Sequence, residues 1–68
     1  MIVDLVEALE RQVDKHSLLH VLTALEIMCG EKADHIKANW QDGGTAKPWQ
    51  LAEKRLGRMA REIEELGI

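Results

Sequence analysis

The stretch that decides the fold is residues 46–66, which read AKPWQLAEKRLGRMAREIEEL. Apolar residues recur there at alternating spacings of three and four positions, at Trp49, Ala52, Leu56, Met59, Ile63 and Leu66. This is the a/d heptad pattern of a helix that packs lengthwise against another helix. Thr45 can cap such a helix, and Pro48 is tolerated in a first turn, where its missing N–H has no intrahelical partner. The pattern predicts a helix over about 46–66.

The segment before it, residues 16–41, is predicted to be the helix that pairs with it. Either Asp14 or Ser17 can cap its start. The main apolar stripe consists of Leu18, Leu22, Leu25, Cys29, Ala33, Ile36 and Trp40, and a second row holds Leu19, Thr23, Ile27 and Gly30. We expect the helix to continue through Gly30, because the same register resumes after it. The short predicted loop, residues 42–45, makes the two helices an antiparallel hairpin.

A shorter helix is predicted over about 2–13. Its apolar stripe has helical spacing and consists of Ile2, Leu5, Val6, Leu9 and Val13. The three segments predict a single all-α domain, in which a short N-terminal helix folds against a long antiparallel helical hairpin as a three-helix bundle. The core of a 68-residue chain rarely supplies more than about 3–5 kcal/mol of net stability. We therefore expect a homo-oligomer, with a two-fold dimer as the default.

The composition indicates the setting of the protein. Its formal net charge is −3, whereas generic nucleic-acid binders are usually strongly basic. Cys29 is the only cysteine, so no disulfide can form within the chain. A lone cysteine and a start that does not resemble a signal peptide predict a reducing, cytoplasmic location. No apolar run approaches the ~20 residues that a membrane-spanning helix needs, so we expect no membrane association.

Basic residues form the clearest candidate binding face. On a helix over 46–66 they project opposite the apolar seam: Lys47, Lys54, Arg58 and Arg61, with Arg55 nearer the border. Such a row could bind phosphates, nucleic acid or an acidic protein. The alternative interpretation is a solvated helix face, because Glu62 and Glu65 have the (i, i+4) spacing for ion pairs with Arg58 and Arg61.

The two tryptophans are the only aromatic residues. In an antiparallel hairpin Trp40 and Trp49 lie at the same end, on either side of the turn. They are predicted to cover the end of the core there. The alternative is an aromatic contact site for a partner, since tryptophan is enriched at binding hot spots.

Few residues have a pattern that indicates chemistry. His16 and His20 have the (i, i+4) spacing of two metal ligands on one helix, but no third ligand is within reach, so they are weak candidates and no metal or cofactor is predicted. Cys29 falls on the main apolar stripe, where a free cysteine behaves as a small buried hydrophobic residue. No nucleophile, base and acid occur together in a recognisable set, so we predict no enzyme.

The sequence thus predicts a small non-enzymatic interaction protein, an adaptor or inhibitor that acts through an oligomeric helical surface. Its expected partners are itself and another protein. One alternative is a binder of an anionic ligand, nucleic acid or a nucleotide, through the basic face. A second alternative is a small metal-dependent enzyme at a subunit interface, built around His16 and His20.

Overall fold

The chain folds into three α-helices. A computed structural model describes residues 2–40 and 43–68, without the side chain of Trp40. The helices are α1 (Ile2–His16), α2 (Leu18–Trp40) and α3 (Gly43–Leu66), and the described residues contain no strand. The predicted all-α class, with a short N-terminal helix and a long helical hairpin, is confirmed. No helix in the described part of the chain is both long and apolar enough to span a membrane.

The hairpin of α2 and α3 forms the core of the molecule. The backbone N–H of Leu19, near the start of α2, donates to the carbonyl of the C-terminal residue Ile68 at 3.0 Å, so α3 returns antiparallel to α2. The most buried apolar residues of the hairpin are small: Cys29, Ala33, Ala46 and Ala60. Small residues at a helix–helix contact let the two backbones approach closely. Cys29 and Ala33 belong to the predicted stripe of α2, and α2 is continuous through Gly30 as expected.

The predicted seam of α3 is wrong at two positions. Met59 and Leu66 are 48% and 66% exposed, whereas Gly57 and Ala60 are buried instead. Trp49, Ala52, Leu56 and Ile63 are partly buried. The helix has rotated toward its small residues because a close approach of α2 requires them in the contact. The large side chains at its edge are therefore left outside.

Two glutamates lie in the α2–α3 contact, each against a glycine of the other helix. A Cβ atom built on Gly30 would lie 2.5 Å from Oε2 of Glu53, and one built on Gly57 would lie 2.6 Å from Oε2 of Glu26. Both glutamates are partly buried. The two pairs are one helical turn apart on each helix, so they share one antiparallel register. Each glycine thus makes room for a glutamate side chain of the other helix.

The ends of the helices differ from the predicted bounds. Helix α1 continues to His16 rather than about residue 13, and α3 begins at Gly43 rather than about residue 46. Thr45 therefore lies inside α3 and is not its cap, and Pro48 lies within the helix. Gly43, Gly44 and Thr45 have low helix propensity. They are nevertheless helical in the structure, next to the fully buried Ala46. The remaining predicted loop residue, Asp42, lies outside the described residues.

Ser17 separates α1 from α2 and caps α2. Its Oγ accepts a hydrogen bond from the backbone N–H of His20 at 3.1 Å, and its own N–H donates to the carbonyl of Val13 at 2.8 Å. Its φ is +122°, a region that favours glycine. The serine is kept there because its hydroxyl satisfies an N–H group at the start of α2, which offsets part of the backbone strain.

Replacement of Ser17 should separate these two effects. We expect Ser17→Ala to destabilise the fold by about 1 kcal/mol, since it removes the cap and keeps the strained φ. Ser17→Gly also removes the cap but relaxes the backbone, so its stability should stay within about 0.5 kcal/mol of the original. Urea denaturation followed by circular dichroism, at one fixed chain concentration, measures both. A glycine variant less stable than the alanine variant would contradict this account.

Helix α1 lies beside α2 and away from α3. Within the described residues, no Cα atom of α1 comes within 8 Å of α3. The molecule measures 38 × 30 × 15 Å, so it is twice as wide as it is thick. A compact bundle of three helices has similar widths in its two short directions, since each helix is about 10 Å across. The flattened arrangement leaves one side of α1 and α2 uncovered.

Candidate binding surface

The apolar stripe of α1 is exposed along its whole free part. Ile2 is 74% exposed, Leu5 55%, Val6 46% and Leu9 39%, and no residue of α1 is buried. Exposure falls steadily toward the end of α1 that contacts α2. The helix is therefore held at one end, and the described residues leave the stripe from Ile2 to Val6 largely uncovered. Contiguous exposed apolar surface is common at sites of protein–protein contact.

A hollow of about 400 Å³, here called the first hollow, opens between α1 and α2 where the stripe ends. Its apolar wall consists of Leu9, Val21, Ala24, Leu25 and Met28. Its polar residues are Gln12, His16 and His20. The first hollow extends the stripe of α1 onto α2, so the two form one continuous surface.

The structure brings His16 and His20 together at the rim of this hollow. Nδ1 of His20 lies 2.9 Å from the carbonyl oxygen of His16 and 3.2 Å from Oγ of Ser17. Because a carbonyl oxygen only accepts, Nδ1 carries the hydrogen and donates it. Only Nε2 of His20 is then left to face a ligand. Among the described residues, no group of three or more histidine, cysteine or acidic side chains is placed to hold a metal ion.

A second hollow of about 400 Å³ continues along the same side of α2 and shares Met28 with the first. It is lined by Met28, Glu31, Lys32, His35, Ile36 and Trp49. The ammonium group of Lys32 lies 5.5 Å from the centre of the Trp49 ring, which is within the range of a cation–π contact. Trp49 is partly buried and forms part of this wall beside Lys32 and Ile36 of α2. The side chain of Trp40, the other predicted aromatic contact, lies outside the described residues.

The basic face of α3 is open to solvent. All five predicted residues are exposed: Lys47, Lys54, Arg55, Arg58 and Arg61. The predicted pairs of Arg58 and Arg61 with Glu62 and Glu65 are not formed, and in the described part of the chain none of these cations has an ion-pair partner. The face surrounds an exposed leucine, Leu51, which shares a shallow depression with Lys47, Gln50 and Lys54.

Cys29 is 5% exposed and lies in the hairpin core, as predicted. The sequence pattern missed the second hollow, because its residues come from two helices and are mostly charged or aromatic. A signal was present on α2, where Met28, Lys32 and Ile36 recur at intervals of four along one helix face.

No protein-family model, curated protein or solved structure matches the chain.

Proposed function

We propose that this chain is a small, non-enzymatic interaction protein, an adaptor or inhibitor that binds a helical partner through the apolar surface of α1 and α2. The observation that carries the proposal is the exposed stripe of α1. An isolated helix of about this length is marginal in water and is held in proteins mainly by packing of its apolar face. The described residues leave the stripe from Ile2 to Leu9 exposed, so a partner that covers it would stabilise the helix.

The form of the surface supports a helix as the ligand. Helical proteins bind an amphipathic helix in an apolar groove. The stripe of α1 and the adjoining first hollow on α2 form such a groove. The first hollow has few polar groups, and Nδ1 of His20 already donates a hydrogen bond to the backbone carbonyl of His16. The surface is therefore better suited to apolar packing against a partner than to catalysis.

A photo-crosslinker placed on the stripe tests the proposal. Val6→p-benzoylphenylalanine should give a defined crosslinked species when the full chain is irradiated in its host cells. The matched control, Arg11→p-benzoylphenylalanine, lies on the opposite side of α1 and should give little or none. The absence of any crosslink from Val6 would refute the proposal. A crosslink obtained only from Arg58→p-benzoylphenylalanine would instead favour an anionic partner bound by the basic face of α3.

A further inference from the structure

We infer that the partner of this surface is a second copy of the chain, and that the free half of α1, residues 2–10, lies in the second hollow of that copy. The inference rests on the proposed function and specifies its ligand. The surface area, dimensions and charges of the described residues each support it.

The surface area matches what a dimer buries. The accessible surface of the chain is 5489 Å². A compact folded monomer of 7.7 kDa has about 4,300 Å², so this chain exposes roughly 1,200 Å² more than expected. A stable protein–protein interface buries about 800 Å² of each partner. One copy stacked on the flat, uncovered side would thus account for most of the excess.

The dimensions of the free helix half and the second hollow agree. From Ile2 to Leu9 a helix advances about 11 Å, and from Met28 to Ile36 it advances about 12 Å. Each copy has one free helix half and one second hollow. A two-fold axis can therefore fill both hollows at once, which gives a closed and self-complementary interface. The resulting dimer has two packed layers of helices, which is the usual number around a single core.

The free half of α1 and the second hollow offer one pair of opposite charges. Helix α1 carries four carboxylates, of Asp4, Glu7, Glu10 and Asp14, against the cations of Arg11 and Lys15. The second hollow presents one cation, Lys32, beside one carboxylate, Glu31. Glu10 flanks the apolar stripe of α1, so in the dimer it lies at the rim of the partner's hollow, where Lys32 is exposed. Opposite charges at the rim favour this orientation over others.

The oligomeric mass of purified chain tests the inference. Sedimentation equilibrium of the unmodified protein should give twice 7.7 kDa. Val6→Asp places a charge in the buried contact and should raise the dissociation constant roughly 100-fold. Arg11→Asp is the matched control, because Arg11 is exposed on the opposite side of α1, and it should remain dimeric. Circular dichroism establishes that both variants keep the helical hairpin.

A charge exchange provides a second measurement that does not disturb the apolar contact. Lys32→Glu should weaken the dimer roughly tenfold, and adding Glu10→Lys should restore most of the affinity. A dimer that neither Val6→Asp nor Lys32→Glu weakens would overturn the docking mode. A mass of one chain at roughly 100 µM, which detects association of about −5.5 kcal/mol, would overturn self-association. The proposed function survives that last result if Val6 still crosslinks to a different protein, and fails with it if Val6 gives no crosslink.

Discussion

We expect replacement of Ala33 by aspartate to unfold the helical hairpin. Ala33 is 1% exposed and lies in the contact between α2 and α3. An aspartate there would carry an unpaired charge into the core, at a cost of several kcal/mol. A domain of this size has only about 3–5 kcal/mol of net stability in total. We expect circular dichroism of Ala33→Asp to show loss of most of the helix signal.

Two control variants distinguish the effect of the charge on stability from the effects of side-chain size and helix propensity. Ala33→Ser adds one oxygen atom whose hydroxyl can bond to a carbonyl of the preceding turn, and it should cost about 1 kcal/mol. Ala38→Asp places the same carboxylate on an exposed position of the same helix, and it should cost no more than about 1 kcal/mol. A folded Ala33→Asp variant with an unchanged urea midpoint would show that Ala33 does not lie in the core.

The second large effect is expected at Gly57. This residue is buried, and the end of the Glu26 side chain occupies the space that a side chain would need. Gly57→Leu would force four extra carbon atoms between two closely packed helices. Overpacking of this kind costs typically about 1–3 kcal/mol, so we expect a large drop in the urea midpoint.

Gly57→Ala is the matched control, because only a flexible side-chain end stands in the way of its Cβ atom. The carboxylate of Glu26 can rotate outward, and alanine gains about 1 kcal/mol of helix propensity over glycine. We therefore expect a net change within about 1 kcal/mol. In a Glu26→Ala background the obstacle is gone, and Gly57→Ala should stabilise by about 1 kcal/mol. If leucine is tolerated as well as alanine, the helices are not in close contact at Gly57.

The sequence by itself determined the helices, their antiparallel pairing and the burial of Cys29 and Ala33. These follow from local rules: apolar residues at a period of 3.6 need a helix, and a short connection between two long helices brings them side by side. The exposed basic row of α3 was predictable for the same reason, since the side opposite a packed seam faces solvent.

Only the tertiary structure decided which edge of α3 enters the contact. Hydrophobic pattern favours large residues such as Met59 and Leu66, but two backbones can approach closely only where the side chains between them are small. Gly57 and Ala60 therefore took the inner positions, and Glu53 entered with them. Such a choice depends on the distance between the helices, which no single stretch of sequence contains.

The position of α1 was likewise decided by the tertiary structure. Its amphipathic stripe predicts that the helix packs on something, but spacing does not specify what. Among the described residues α1 contacts α2 and not α3, so the stripe from Ile2 to Leu9 stays exposed. A local pattern determines which face of a helix is apolar, whereas the available neighbours determine whether that face becomes core or binding surface.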